Sequence, residues 1–271
     1  MVQTTRRKLM ALAITAIALG STAACKRTGT TLSYEGATTH IPVLSEAAAA
    51  FEAAHADVRI DIAGGGSSIG VRSVASGKAD LGGVARDLTP EEAKAVLVIP
   101  FARDALAVVV GEDVAIDGIT LGELHDLYAA SSPPDGMSRI SKAWAHGTAQ
   151  AFAKGVALAQ TDVMSEAVAG SNGEVLAMIA ALPASIGYVS ASDAMAAIES
   201  GAPIRILPVE GVYPTLSTLA DGSYPLARTL WLTLPKPAPG RTRPASADFV
   251  AFLMGPEVGA MLSARGFLPV P

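Results

Sequence analysis

Apolar residues recur along the chain with two periods, which predict alternating helices and strands. Apolar positions between 41 and 51 follow the helical period, and residues 58–62 alternate between apolar and charged side chains as in a half-buried strand. A short helix is predicted at 71–77. Further strands are predicted from apolar runs at residues 97–101, 105–110, 185–189 and 204–209. This alternation is typical of an α/β protein with a largely parallel sheet, in which ligands bind at the carboxyl ends of strands.

Capping signals support several of the predicted helices. In Thr89–Glu92 and Thr120–Glu123, a threonine precedes a glutamate by three residues, the spacing of a capping box. Two apolar-faced helices are predicted near the end of the chain, over 245–254 and 256–265. The proline-rich tract 235–244 before them shows neither period and predicts an exposed loop.

Two segments predict that the chain crosses between two lobes. Residues 101–105 run directly into the apolar run 106–110 with no helix between them, and residues 224–228 lead into 229–234 in the same way. We expect these segments to be the connections between the lobes.

Three short turns are rich in glycine and hydroxyl residues, and each precedes a predicted helix. They lie at 36–39, 64–68 and 146–148. The start of a helix presents free N–H groups and the positive end of the helix dipole, and serine or threonine hydroxyls add donors. If the three turns converge, they form a site for a small anion.

The first 25 residues predict an export signal. Three basic residues at 6–8 precede an apolar run over 9–20, which is shorter than a membrane span. Small residues then lead to Cys25, and this arrangement resembles a bacterial lipobox in which Cys25 is lipidated. The alternative is a signal with an incidental cysteine, and the paired arginines leave both the general and the twin-arginine export routes open.

Composition narrows the class of protein. One cysteine excludes an internal disulfide, so a packed core must stabilise the chain, and 50% hydrophobic residues over 271 positions allow one. The net charge of −5 argues against nucleic acid as a partner. A small anion remains compatible, because backbone dipoles can hold it locally. The histidines show no metal spacing, and we expect no metal or cofactor.

The order of motifs resembles the phosphate-binding proteins of ABC phosphate importers, across essentially the whole chain after residue 25. The segments that carry the resemblance are Gly36-Ala37-Thr38-Thr39, Gly64 to Ser68, Ala79-Asp80-Leu81-Gly82 with Arg86, Gly147-Thr148, and Ile186-Gly187-Tyr188-Val189. The resemblance implies a two-lobed periplasmic-binding-protein type II fold with two hinge crossings. One lobe would comprise residues 26–105 and 225–271, and the other residues 106–224.

The resemblance also implies a function without chemistry on the ligand. The chain would bind phosphate or a similar tetrahedral oxyanion between the lobes and deliver it to an ABC permease. It would act as a monomer in the periplasm or at the cell surface. The implied ligand-binding residues are Thr38, Thr39, Gly66, Ser67, Ser68, Arg86, Lys142, His146, Gly147 and Thr148.

Three positions depart from the family pattern, and they leave the identity of the oxyanion open. Lys142 stands where the family commonly has arginine, and His146 stands where it has a donor serine. Ala85 occupies a position that often carries a polar ligand contact. Lysine cannot chelate two oxygens in fixed geometry, whereas His146 can accept a proton when neutral.

Two other functions are compatible with parts of the sequence. Residues 66–70 satisfy Gly-x-Ser-x-Gly, the nucleophile elbow of α/β hydrolases, with Ser68 as the nucleophile. Against an enzyme, few strands precede this segment and no histidine follows His146. An anion sensor or scavenger of the same fold, without a permease, is the second alternative.

Overall fold

The computed structural model describes residues 29–133, 136–237 and 244–270. The predicted export signal and Cys25 lie outside the described residues.

Strands and helices alternate along the described chain. The strands are β1 Thr30–Gly36, β2 Val58–Ala63, β3 Leu81–Val84, β4 Leu97–Gly111, β5 Ser138–Lys142, β6 Ala167–Ala169, β7 Ser185–Ser190, β8 Ile204–Leu207, β9 Ala227–Leu234 and β10 Leu268–Pro269. The helices are α1 Ile41–Ala54, α2 Ser67–Ser76, α3 Pro90–Ala95, α4 Leu121–Ala129, α5 Gly147–Gly155, α6 Asn172–Ala181, α7 Ala191–Glu199, α8 Leu216–Ala220, α9 Pro244–Leu253 and α10 Pro256–Ala264. Single 3-10 turns lie at Thr38–His40 and Gln160–Asp162.

The sheet is mixed rather than largely parallel, which corrects the expectation from the sequence. Its strand order is β2-β1-β3-β9-β4-β7-β5-β6, and β8 and β10 also pair with β4. The parallel pairs lie at the two ends, where β1 pairs with β2 and β3, and β5 pairs with β6 and β7. Between them, β9 and β4 run antiparallel to each other. The reason is topological, since β4 carries the chain out of one part of the sheet and β9 brings it back.

The strand β4 is one long element where the apolar pattern predicted two. Residues 97–111 form a continuous strand, with a shift in pairing register against β9 between Pro100 and Ala102. The first residues of β4 are partly exposed, and Leu97 is 41% exposed. The segment predicted as a lobe crossing is therefore the middle of a strand.

Two large hydrophobic cores pack on the two ends of the sheet, and a third, smaller cluster lies around α2 and β3. The first contains residues from β1, α1, α9 and α10, and the second contains residues between Ala105 and Leu226. The cores part within β4 and β9. For reference we call residues 26–105 and 225–271 the first lobe and residues 106–224 the second lobe; these limits remain a prediction.

Capping and packing account for individual helices. Both predicted capping boxes are present, with the Thr89 hydroxyl accepting from the Glu92 N–H and the Thr120 hydroxyl accepting from the Glu123 N–H. No single helix in the described ranges is long and apolar enough to cross a membrane. The helices α9 and α10 pass that test only as a pair bent by 51°. Phe249 and Leu253 of α9 and Val258 and Leu262 of α10 are buried in the first core, which accounts for the apolar face of each helix.

Candidate functional site

The starts of α2 and α5 meet across the boundary between the lobes. Gly66 precedes α2 with φ at +95°, and a Cβ atom there would lie 2.4 Å from the carbonyl oxygen of Ala145. A Cβ atom on Gly147 would lie 2.2 Å from Ser67 Oγ. Only glycine permits both approaches, because any side chain would push the two helix ends apart. The structure therefore brings Gly66, Ser67 and Gly147 together.

Arg228 joins the hydroxyls of the two lobes. Its Nη2 donates to Thr39 Oγ1 at 3.3 Å, and its Nη1 donates to Thr148 Oγ1 at 3.0 Å and to the carbonyl oxygen of Ala85 at 3.1 Å. Thr39 lies in the turn before α1, whereas Thr148 lies at the start of α5. Two of the three predicted turns thus meet at one buried guanidinium.

Asp104 holds Arg228 in place. The two residues are paired in register on β4 and β9, and Asp104 Oδ2 accepts from Arg228 Nε at 2.9 Å and from Nη2 at 2.6 Å. The Ser190 hydroxyl donates to Asp104 Oδ1 at 2.8 Å. Burial raises the pKa of Asp104, and Arg228 and Ser190 oppose that rise. Arg228 therefore has a fixed orientation, since all five of its N–H groups are used.

Three hydroxyls at this junction are left with a hydrogen to donate. Thr39 and Thr148 each accept a hydrogen bond from Arg228, and Ser67 Oγ accepts one from the backbone N–H of Ala85 at 3.0 Å. Arginine and a backbone N–H can only donate, so each hydroxyl must act as the acceptor in that bond. Within the described residues none of the three hydroxyls donates to a protein acceptor. The junction thus presents donors.

Arg86, which the sequence placed in the ligand-binding set, is paired with Glu92, and within the described residues it makes no hydrogen bond to Thr39, Ser67 or Thr148. Its Nη1 and Nη2 donate to the two carboxylate oxygens of Glu92 at 2.7 and 2.8 Å, and Nη1 also donates to the carbonyl oxygen of Asp87. The guanidinium that hydrogen-bonds hydroxyls of both lobes is that of Arg228, whereas the Arg86 guanidinium is turned to Glu92. The cause is the capping box of α3, which turns Glu92 back onto Arg86.

The Ser68 hydroxyl contacts Arg86, whereas the Ser67 hydroxyl contacts the backbone of Ala85. Ser68 Oγ accepts from Arg86 Nη2 at 3.2 Å and from Gln150 Nε2 at 3.4 Å. The two donors, Arg86 and Gln150, line a cavity of about 390 Å³ together with Lys154. Ser68 therefore joins the lobes but stands apart from the hydroxyls that converge on Arg228.

Lys142 is a buried cation at the end of β5. It is 3% exposed, and its Nζ donates to Asn172 Oδ1 at 2.6 Å. Burial lowers its pKa from the usual value to about 8, and the nearby charge of Arg228 adds to this effect. In the described part of the chain no carboxylate forms an ion pair with this ammonium.

His146 and Thr38 complete the predicted set. His146 precedes α5, and burial, with the charge of Lys142, lowers its pKa, which favours the neutral imidazole near neutral pH. Thr38 lines a second cavity of about 440 Å³ together with Asn172 and Asp193. Within the described residues its side chain makes no hydrogen bond to Arg228, in contrast to its neighbour Thr39.

The geometry around Ser68 gives no support to a hydrolase. A nucleophilic serine needs a histidine within hydrogen-bond reach. None of the four histidines, all in the described part of the chain, makes a hydrogen bond to Ser68. His55 and His125 bond to backbone carbonyls, and His40 is stacked on Phe101.

The sequence reasoning missed Arg228, Asp104 and Asn172. A usable signal existed for the first two, because each is a charged residue inside a segment recognised as a lobe crossing. Asp104 in one crossing segment and Arg228 in the other are a candidate buried pair, although Arg103 beside Asp104 is a second candidate partner. Asn172 carried no comparable signal, since an asparagine at the start of a helix usually serves the helix itself.

Comparison with known proteins places this architecture in a family. A family model described as a PBP superfamily domain matches residues 21–257. This chain belongs to the PBP superfamily. The described fold is accordingly the two-lobed α/β fold of periplasmic binding proteins.

Named relatives and a solved structure agree with this assignment. The phosphate-binding protein PstS of Borreliella burgdorferi is 25% identical over 255 residues, which cover 88% of this chain and 90% of that protein. The phosphate-binding protein PstS 2 of Streptococcus pneumoniae serotype 4 is 37% identical over 98 residues, but the match spans only 36% of this chain and 34% of that protein. A Clostridium perfringens structure, assigned as a phosphate ABC transporter substrate-binding protein with bound phosphate, superposes with a TM-score of 0.80. That structure shares 22% identity over 89% of this chain and 100% of its own length, so it bears on the fold alone.

Proposed function

We propose that this PBP-superfamily chain binds phosphate or a similar tetrahedral oxyanion between its two lobes and delivers it to an ABC importer. The observation that carries the proposal is the donor polarity of Thr39, Ser67 and Thr148. Each hydroxyl is fixed as an acceptor by a protein donor and so offers its own hydrogen to a ligand. A fully deprotonated or dianionic oxyanion is rich in acceptors and matches this set. The names of the relatives as phosphate-binding proteins point the same way.

The proposed ligand-binding set differs from the sequence-based one at two positions, Arg86 and Ser68. Thr38, Thr39, Gly66, Ser67, Lys142, His146, Gly147 and Thr148 remain in it, together with the N–H groups at the starts of α2 and α5. Arg228 takes the role first given to Arg86, as the positive charge that orients the hydroxyls. Ser68 becomes a lobe contact.

The test is a panel of oxyanions with matched threonine variants. Calorimetry and thermal unfolding with phosphate, arsenate and sulfate should show binding and a raised melting temperature for the preferred anion. Thr39→Val and Thr148→Val keep shape but lose the hydroxyl, and each should cost about 1.5–3 kcal/mol of binding, or roughly tenfold or more in Kd.

Thr233→Val is the matched control, because the buried Thr233 hydroxyl has no hydrogen-bond partner among the described residues. It should bind the anion like the wild type. If Thr39→Val and Thr148→Val also bind like the wild type, the proposed site is wrong.

We further propose export and lipid anchoring, which rest on residues 1–25. Cleavage before Cys25 and acylation of its thiol would place the protein in the periplasm or at the cell surface, held on a membrane. Mass spectrometry of the mature N-terminus should detect the lipid, and Cys25→Ser should release the protein from the membrane fraction. A Cys25→Ser protein that stays membrane-bound would contradict the anchor.

The permease partner and the monomeric state complete the proposal. Lobe closure about β4 and β9 would give a permease a shape to recognise, as in hinge-type binding proteins. Co-purification of a permease with the liganded protein would support transport. Its absence, with oxyanion binding intact, would favour a sensor or scavenger.

A further inference from the structure

Among the residues that the structure describes, Lys142 is a buried cation without a direct counter-ion. Its side chain is 3% exposed, and Asn172 takes one of its three N–H groups. Within the described residues the other two have no acceptor. A buried ammonium is unfavourable unless an anion compensates it. The hydroxyls of Thr39, Ser67 and Thr148 also have no acceptor within the described residues. An oxyanion ligand would supply acceptors for these hydroxyls and a negative charge for the ammonium.

Asn172 links this lysine to a buried carboxylate. Its Oδ1 accepts from Lys142 Nζ at 2.6 Å, and its Nδ2 donates to Asp193 Oδ2. Only this orientation of the amide satisfies both neighbours, because the ammonium can only donate and a carboxylate can only accept. The three side chains therefore form an ordered chain, which we call the Lys142–Asn172–Asp193 relay.

The relay lies at the boundary between the lobes. Asn172 and Asp193 come from α6 and α7 of the second lobe, and they share a cavity with Thr38 of the first lobe. The Asp193 carboxylate accepts a hydrogen bond from Asn172, and burial raises the pKa of Asp193. The relay thus connects the cation of the proposed site to a carboxylate behind it.

We propose that Asn172 and Asp193 are positioning residues that hold the Lys142 ammonium ready for the oxyanion and set the pH range in which it stays charged. This inference rests on the proposed function and adds two residues that the sequence did not indicate. The asparagine fixes the direction of the ammonium, and the carboxylate supplies a negative charge one side chain away.

Other charged groups near Lys142 also shift its pKa. Arg228 lies close enough to disfavour the ammonium, whereas Asp193 and Glu174 favour it. The charge of Lys142 in turn lowers the pKa of His146. The charges of Arg228 and Arg265 lower the pKa of Asp193. Since Lys142 has a pKa of about 8, small changes in these neighbours alter its charge within an accessible pH range.

The experiment measures phosphate affinity by calorimetry from neutral to alkaline pH. Wild-type affinity should fall as pH rises through about 8, because the ammonium is lost. In Asp193→Asn the fall should begin about one pH unit lower, since a favourable charge is gone. In Asn172→Asp the fall should move in the opposite direction, because a carboxylate then contacts the ammonium. Lys142→Arg should show no such fall.

A ligand-free readout separates this inference from the proposed function. Nuclear magnetic resonance titration of the lysine Cε signals, with Lys142→Arg for assignment, reports the Lys142 pKa directly. The control is Asp126→Asn, which removes an exposed carboxylate on α4. In this variant the pKa of Lys142 should equal that of the wild type. If Asp193→Asn leaves the Lys142 pKa unchanged, or if both relay variants shift it in one direction, the relay is overturned. If the expected shifts occur but phosphate does not bind, the proposed function fails while the relay stands.

Discussion

At the scale of single residues, the site depends on the direction in which hydrogen bonds run. Arg228 has only donors, so the two threonines that contact it must accept, and each keeps its own hydrogen to donate. The ion pair with Asp104 holds the arginine so that this direction is fixed before a ligand arrives. A preset donor array avoids the reorganisation that a flexible set of hydroxyls would require on binding.

His40 gives a prediction about stability and pH. Its imidazole is buried, stacks on Phe101 at 5.9 Å and has a pKa lowered to about 3, first by burial and then by Arg228. The unfolded chain takes up a proton near the usual value of 6.5, whereas the folded protein does not until about 3. Stability should therefore fall as pH decreases through this window, by several kcal/mol at about 1.4 kcal/mol per pKa unit.

The check is urea unfolding of wild type and His40→Phe across this pH range. The variant removes the titrating ring and keeps an aromatic partner for Phe101, so its stability should depend less on pH. Equal pH dependence in the two proteins would show that His40 does not carry the effect.

Residue types and spacing predicted part of the candidate site, and geometry supplied the rest. Thr39, Ser67 and Thr148 follow from glycine- and hydroxyl-rich turns before helices, because that local pattern is recorded in the sequence. The carboxylate partners of Arg86 and Arg228 could not be assigned in this way. An arginine's partner depends on which carboxylate the fold brings to it, and here Glu92 reaches Arg86 while Asp104 reaches Arg228.

At the scale of elements, the starts of two helices approach each other so closely that glycine is required. Gly66 has φ at +95°, where a side chain is strained, and a Cβ atom would lie 2.4 Å from the Ala145 carbonyl oxygen in the other lobe. The contact is made only when α2 and α5 are together. A side chain at Gly66 should thus oppose closure directly.

Gly66→Ala should therefore bind phosphate at least roughly tenfold more weakly, with a smaller loss of folding stability, because the clash lies between lobes. Calorimetry measures the first quantity and thermal unfolding the second. Gly122→Ala on α4 is the matched control, since a Cβ atom there meets nothing closer than 3.9 Å. Affinity unchanged in Gly66→Ala would mean that the two helix starts need not meet in the complex.

The sequence predicted the type and order of the elements well, but not the direction of the central strands. The helices α1, α9 and α10 follow from the helical period, and the capping boxes give the starts of α3 and α4. The apolar runs in β4 are compatible with parallel or antiparallel pairing. Their antiparallel pairing with β9 follows from the path of the whole chain between the two cores, which no local pattern records.

At the scale of the whole molecule, polar contacts around the 390 Å³ cavity connect the lobes. Lys154 of the second lobe forms an ion pair with Asp87 of the first, and Gln150 donates to Ser68. Arg86, paired with Glu92, holds Ser68 from the other side. We expect these contacts to favour the closed arrangement independently of the ligand, and so to tune affinity without touching the anion.

The ion pair between Asp87 and Lys154 allows this expectation to be tested by exchanging charges. Its side chains are 60% and 73% exposed, so the pair is screened by salt and should contribute only about 0.2–1 kcal/mol. Asp87→Lys or Lys154→Asp alone places like charges across the boundary and should weaken phosphate binding by up to roughly fivefold at low salt. The double exchange restores opposite charges and should recover the wild-type affinity. High salt should reduce all of these differences, because the interaction is electrostatic and exposed. If the double exchange binds as weakly as the single variants, the contact does not act through closure, and local damage to α5 becomes the explanation.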